Sequence, residues 1–308
     1  MSKILVSGGA GFIASHLTDK LIDKGDNVVV IDNLSTGKKE NLNPKAKFYE
    51  ADICNSEISQ IFEAEKPEIV FHFAAQINVR KSVEDPIQDA KVNILGSLNL
   101  LQNCQKNEVK KFIFASSGGA IYGDTDVIPT PETHSENPES PYGICKLTIE
   151  KYLHFYKETF GLNYTALRLA NVYGPRQNSK GEAGVIAVFC DKMLKNEEVV
   201  INGDGEQTRD FVFVDDVVNA ALLSIEQEKS DIYNIGTGIQ TNINEIFRKI
   251  KELTNSDCEE IHVSGKPGEQ KRSCLDSSKA KQELGWQPEY NLEDGLKRTI
   301  KWFKENGY

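Results

Sequence analysis

A short apolar run, Lys3-Ile4-Leu5-Val6-Ser7, turns through Gly8-Gly9-Ala10-Gly11 into the helix-patterned Phe12-Ile13-Ala14-Ser15-His16-Leu17. This strand, glycine turn and helix limit the fold more than any other stretch of the chain. Gly9 and Gly11 permit a tight turn and close approach of the backbone to a pyrophosphate, and Ala14 fills the third small position, where helix must lie near strand. The first N–H groups of the helix, together with its dipole, attract phosphate. A second strand, Asn27-Val28-Val29-Val30-Ile31, ends at Asp32, roughly 20 residues beyond the glycines, where a carboxylate meets the ribose hydroxyls of a dinucleotide. Such a carboxylate repels a 2′-phosphate. The residues that follow, Asn33, Leu34, Ser35, Thr36 and Gly37, place no arginine beside it, so NAD is expected rather than NADP. Gly8, Gly11, Phe12 and Ile13 join Asp32–Gly37 as the first expected cofactor contacts.

The alternation continues. Lys47–Glu50 reads as a third strand, residues 56–64 as a helix, and Glu68–Phe73 as a fourth strand. A long helix is expected over about 86–105, with Val92, Leu95, Leu98, Leu101 and Gln102 on its periodic face. Lys111–Ala115 is a fifth strand, Pro141–Phe160 a helix, and Tyr164–Leu169 a sixth strand. Strand alternating with helix predicts an α/β fold, a Rossmann-type doubly wound parallel sheet covered on both faces. After Asn171-Val172-Tyr173-Gly174-Pro175-Arg176 the elements become short and glycine-rich. They predict a smaller C-terminal α/β domain over 171–308 beside the first over 1–170. The boundary is not clean, because the helix near Val214–Leu223 is able to return to the first domain.

A net charge of −10 argues against generic nucleic-acid or anionic-membrane binding. The six cysteines have no metal-type spacing and read as free thiols of a reducing compartment. No apolar run approaches membrane-spanning length, and the start of the sequence lacks a cleavable leader pattern. A soluble cytoplasmic protein is the expectation.

In an open parallel sheet, ligands lie outside the carboxyl ends of the strands. The third strand exits to Asp52 and Ile53, suited to an adenine. The fourth exits at Phe73 to Ala74, Ala75 and Gln76, small enough to let a dinucleotide pass. Asn93 is either a polar contact or an exposed helix residue. The fifth strand exits to Ser116-Ser117-Gly118-Gly119-Ala120-Ile121-Tyr122-Gly123, and the sixth to Ala170-Asn171. Tyr142 and Lys146 stand four residues apart and so share a helix face. A cation beside a phenol favours the phenolate, and a phenol poised near neutrality can take a proton from an alcohol.

These segments resemble the extended short-chain dehydrogenase/reductases of the NAD-dependent epimerase/dehydratase family, and within it the UDP-hexose 4-epimerases. The resemblance spans nearly the whole chain. It is carried by SGGAGFIASH, DNLSTGKKENL, ADI, HFAAQ, FIFASSGGAIYG, SPYGICK, RLANVYGPR, TRDFVFVDD and KPGEQKRSCLDSSKA. It implies tightly held NAD, Tyr142 as the base at the sugar 4-hydroxyl, and Lys146 on the ribose hydroxyls, depressing the tyrosine pKa. A serine of the fifth strand would hydrogen-bond the same oxygen. Counting from the strand gives Ser117, with Ser116 in reserve, whereas counting back from Tyr122-Gly123 gives Gly118. Only a hydroxyl serves, so Ser117 is chosen. Family dehydratases carry an Asp-Glu pair after this residue, and here Gly118-Gly119 follows, so dehydration is not expected.

For the UDP-sugar, the resemblance implies Asn171 on a phosphate or a sugar hydroxyl, Arg209 on the diphosphate, and Val200, Ile201 and Asn202 along the uracil. Val185 joins them, and Lys266, Glu269 and Arg272 gather near phosphates and ribose. Ser273 falls at the family's gatekeeper position, where a small residue leaves room for an N-acetyl group. The helices near 88–105 and 143–160 match those of the family's dimeric four-helix bundle, which implies a homodimer. A UDP-glucuronate 4-epimerase or decarboxylase is the nearest rival, and an inactive NAD-sensing protein is a rival of another class. His72 is expected to be a packed, hydrogen-bonded residue, His262 to lie in a connecting region, and Asp215-Asp216 to start and cap a helix.

Overall fold

The frame is a sheet of seven parallel strands, whose central members are buried on both faces. The computed structural model describes residues 2–180, 184–265 and 270–306. The first half of the chain supplies β1 (Lys3–Ser7), β2 (Asn27–Asp32), β3 (Lys47–Glu50), β4 (Ile69–His72), β5 (Lys111–Ser117) and β6 (Asn163–Leu169). Beyond it, β7 (Asn171–Tyr173), β8 (Val199–Asn202), β9 (Thr208–Arg209) and β10 (Phe211–Phe213) form small two-stranded pieces, but β11 (Asp231–Ile235) joins the large sheet. Its order is β11-β6-β5-β4-β1-β2-β3, with every neighbouring pair parallel. The order reverses between β1 and β4, and the crevice above that point is where such sheets take ligands.

Successive side chains of a strand point to opposite faces, and the two cores follow that rule. Ile4, Val6, Val28, Val30 and Phe71 pack on one face beneath α1 (Phe12–Asp23). Leu5, Ile31, Val70, Phe112 and Phe114 pack on the other, with Ile58 and Phe62 of α2 (Ile58–Glu65). The β4–β5 crossover holds α3 (Val79–Glu84), α4 (Pro86–Ala90), a π turn (Lys91–Gly96) and α5 (Ser97–Lys106). After β5 come α6 (Gly118–Tyr122) and α7 (Pro141–Phe160), and later α8 (Val185–Leu194) and α9 (Val214–Glu226). The chain then adds β12 (Thr241–Asn242), α10 (Ile243–Thr254), β13 (Glu260–Val263), α11 (Ser278–Glu283) and α12 (Leu292–Asn306). Helix α9 lies against α1, and β11 is hydrogen-bonded along β6. Residues on both sides of position 170 therefore build the large sheet and its cover.

The long helix differs from its sequence reading. Its buried stripe is Asn93, Gly96, Ser97, Leu100, Leu101, Asn103 and Cys104, while Leu95 is 59% exposed. Hydrophobic periodicity points elsewhere because three of the inward residues, Asn93, Ser97 and Asn103, are polar and have partners inside. Helix α7 spans the range its sequence predicts. Ser140 accepts the Gly143 N–H at 3.2 Å, Pro141 opens the first turn, and Gly161 closes the helix at φ +74°, each a known terminal preference.

Two further expectations need correcting. Asp216 does not cap α9. It is buried, and its carboxylate accepts the N–H groups of Glu289 (2.8 Å) and Tyr290 (3.4 Å), so it clasps the segment before α12. His262 lies in β13 rather than in a connection, bonded to Gly203 O and Glu260.

Candidate active site

The turn after β1 needs Gly8 twice over. Its φ is +76°, and a Cβ there would come within 2.6 Å of Ala74 N, so the β1 and β4 exits touch through bare backbone. Helix α1 then starts at Gly11 with no side chain capping it, which leaves its first N–H groups to a ligand. Asp32 is almost fully buried. One carboxylate oxygen accepts Ala10 N–H at 3.0 Å and the other accepts Leu34 N–H at 2.8 Å. Burial raises its carboxyl above the ordinary range, and the two N–H groups oppose that rise. Asn33 donates to Asp52 at 2.9 Å and joins the second and third strand exits. Glycine turn, uncapped helix start and a carboxylate at the end of β2 fit a dinucleotide with a free ribose diol.

Asn93 is not an exposed helix residue but is buried and bonded within the protein. It accepts Gln76 N–H at 2.9 Å and donates to Gln76 O and to Asp89, both at 2.9 Å. It therefore pins the β4 exit from below. The Gln76 side chain also turns inward, donating to Asp89 at 2.7 Å and to Asn78 O at 2.9 Å. Beneath them, His72 bridges two serines, with Nδ1 at 2.7 Å from Ser7 Oγ and Nε2 at 2.7 Å from Ser97 Oγ. Ser97 gives its own proton to Asn93 O at 2.6 Å. The pattern assigns the ring proton to Nε2 and makes Ser7 the donor to Nδ1. Burial, with the nearby Lys146 charge, pushes the His72 pKa down to about 3, so the ring is a neutral connector and not a base. Ile53 packs under the bare Cα of Gly96.

The structure separates the three residues that compete for the serine role. Ser116 is buried and donates to Glu150 at 2.6 Å. A side chain at Gly118 would have to displace the Leu275 methyls, which a Cβ would meet at 2.6 Å, and glycine itself offers no hydroxyl. Ser117 ends β5 facing Tyr142, and its hydroxyl favours the phenolate. Gly143 makes this meeting possible, because a Cβ there would strike Ala120 O at 2.2 Å and push α7 off α6.

Lys146 is buried, donates to Ala115 O at 2.7 Å, and lies 4.7 Å from the Phe114 ring centroid and 5.7 Å from that of Tyr142. Burial lowers its pKa to about 8, against Asp89, Cys145 and Glu150. The expectation that Lys146 brings Tyr142 towards neutrality is not met by these groups alone. Burial and the Asp89 charge hold the phenol above its ordinary value, and the Ser117 hydrogen bond opposes them.

On the substrate side, Asn171 is exposed in β7 while Ala170 is half-buried. Ile201 requires correction. It is 1% exposed and turns into the core, because β8 alternates, and only Val200 and Asn202 face outward. Val185 starts α8 half-buried, and Arg209 donates to Thr208 O at 2.8 Å. Arg272 is exposed and pairs with Asp126 at 2.8 Å. Ser273 sits with its hydroxyl against Gly119, a Cβ on which would lie 2.8 Å away. Lys266 and Glu269 lie outside the described residues. Two residues that sequence reasoning passed over stand in this wall, Asp89 and Cys145. Only the spacing of Cys145, three residues after Tyr142, and of Asp89, four before Asn93, offered a signal.

The comparisons agree with this geometry. The NAD dependent epimerase/dehydratase family matches residues 4–236. A putative UDP-glucose 4-epimerase of Methanocaldococcus jannaschii is 49% identical over 303 residues, covering 98% of this chain and 99% of that protein. The UDP-glucose 4-epimerase of Thermotoga maritima, solved with UDP-glucose, is 53% identical with a TM-score of 0.97, covering 99% of each chain. A UDP-N-acetylglucosamine 4-epimerase of Methanobrevibacter ruminantium M1, solved with UDP-N-acetylmuramic acid, is 37% identical with a TM-score of 0.94, again over 99% of each chain. By its glycine turn, its Ser-Tyr-Lys cluster and these matches along its length, the chain belongs to the NAD-dependent epimerase/dehydratase family.

Proposed function

We propose that this protein interconverts UDP-glucose and UDP-galactose, and their N-acetylated counterparts, by transient oxidation at sugar carbon 4. The observation that carries the reading is the meeting of Ser117, Tyr142 and Lys146 at the exit of β5, with a bare Gly118 where a dehydratase needs a carboxylate. Bound NAD supplies the acceptor and later the donor of the hydride, along with a positive charge beside the phenol. Tyr142 takes the proton from the 4-hydroxyl and returns it after the 4-keto sugar has turned over in the site. Ser117 hydrogen-bonds that oxygen throughout, and the remaining Lys146 donors hold the ribose. General acid–base work of this kind needs a group titrating near the working pH. For Tyr142, the fall must come from ligand charges added to those of the protein. The planar fork of Arg209 suits a diphosphate, and Arg272 exchanges Asp126 for ligand oxygens.

The wider substrate range is motivated by Ser273, a small side chain beside Gly119 at the position where the family resemblance expects a gatekeeper. Offered a panel of UDP-sugars, the purified protein is expected to turn over both pairs, and Ser273→Tyr to lose the acetylated pair by at least about tenfold more than the other. No turnover of UDP-N-acetylglucosamine by the unaltered protein would remove this part of the reading.

We also infer a homodimer. Ile87 (82% exposed) and Leu95 (59%) face outward beside Ile144 (50%) and Phe155 (48%) of α7, against which α4 packs. Paired with a second copy, these elements make a four-helix bundle that hides the apolar face. Analytical ultracentrifugation should give twice the chain mass, and a single-chain mass at micromolar concentration would contradict the dimer.

A further inference from the structure

Asp89 is 1% exposed and stands on α4, with α7 packed across it. One carboxylate oxygen accepts both Gln76 Nε2 (2.7 Å) and Asn93 Nδ2 (2.9 Å), whereas the other is buried with no nitrogen or hydroxyl partner, and the carboxylate has only the Cys145 thiol of α7 beside it. A buried carboxylate whose second oxygen has at best a weak thiol donor is costly, and it calls for an explanation where it faces a reaction site. We propose that Asp89 is a positioning residue that fixes the Gln76 loop with one oxygen and, with the charge of the other, sets the pH at which Tyr142 and Lys146 work. The inference rests on the epimerase reading.

The surroundings make the charge effective. From α7, Tyr142, Cys145 and Lys146 lie within reach of the Asp89 charge, while Glu150 turns to Ser116 and Arg168 and His72 of β4 lies near Lys146. Arg80, Lys81 and Glu84 of α3 and Lys91 of the π turn are exposed, where solvent screens them. His72 is neutral, and the buried Cys145 thiol is pushed up to about 12, so neither carries charge at neutral pH. Asp89 is thus a main counter-charge to Lys146, supporting an ammonium that burial would otherwise discharge. The cost is borne by Tyr142, whose phenol the same carboxylate holds protonated until the ligands are in place. The residue makes phenolate formation conditional on a loaded site.

A removed negative charge lowers the pKa of every neighbour. The acid limb of the turnover profile requires Tyr142 to lose its proton and the alkaline limb requires Lys146 to keep its own. Both limbs belong to the coupled pair. In Asp89→Asn, which preserves the acceptor for Gln76 and Asn93, both should move to lower pH by roughly one unit. Asp89→Glu, which keeps the charge, should leave them at their original pH whatever happens to the height. Asp89→Ser replaces the asparagine if its added N–H disturbs packing. A neutral variant that changes only the height, or a glutamate variant that moves the limbs, would overturn the proposal. A protein that interconverts no UDP-hexose at any pH would overturn the reaction itself instead.

Discussion

Tyr142→Phe is expected to reduce UDP-hexose interconversion by about 10²–10⁴-fold, the range that general acid–base groups contribute. The ring would still fill its half-buried place against Ser117 and over the Lys146 stem, because phenylalanine loses only the hydroxyl. Helix α7 would keep its cap at Ser140 and its contact through Gly143. NAD and UDP-sugar affinity should therefore change little, and the loss should appear in kcat rather than KM. Stopped assays over a range of UDP-galactose, with cofactor content measured on the same sample, separate the two. Turnover within a few-fold of the original would mean that another group moves the proton.

Arg168→Met is expected to have the largest effect on stability. Arg168 is 1% exposed and donates to both oxygens of Glu150, to Tyr122 Oη at 2.8 Å and to Glu136 at 2.9 Å. Glu150 in turn holds Ser116. Removing the cation leaves a fully buried carboxylate without its counter-charge, a defect that costs roughly 3–5 kcal/mol, or on the order of 10 °C in Tm. Glu150→Gln should cost less, since Arg168 retains Glu136, whose side chain is 28% exposed. Thermal unfolding followed by circular dichroism ranks the two. A methionine variant within two or three degrees of the original, or less harmful than Glu150→Gln, would contradict this assignment.

The Arg168 network also shows where sequence reasoning stops. The glycine turn, the carboxylate after β2 and both ends of α7 were legible, because each depends on residues close together in the chain. Ser140, Pro141 and Gly161 announce their own helix. The pairing of Tyr142 with Lys146 was legible too, since four residues make one turn. What the pair does to the phenol was not, because Asp89 reaches it from a different helix and burial is a property of the folded molecule. Asn93 illustrates the same limit. Its inward direction follows from bonds to Gln76 and Asp89, and no hydrophobic pattern can register those. The Ile201 side chain fell on the inner face for a simpler reason, as successive side chains of a strand alternate between its faces. Of the candidates Ser116, Ser117 and Gly118, the missing hydroxyl already excluded Gly118 in the sequence, whereas turning Ser116 aside needed Glu150, distant in sequence, to take its hydroxyl.

The central claim is that carbon 4 gives up its hydrogen and recovers the same one, with Tyr142 handling the proton of the neighbouring oxygen. UDP-galactose carrying deuterium at carbon 4 tests it directly, with the product followed by mass spectrometry and NMR in ordinary water. The account predicts UDP-glucose with the deuterium retained at carbon 4. Absence of UDP-glucose, or UDP-glucose whose carbon 4 has taken hydrogen from water, would contradict it.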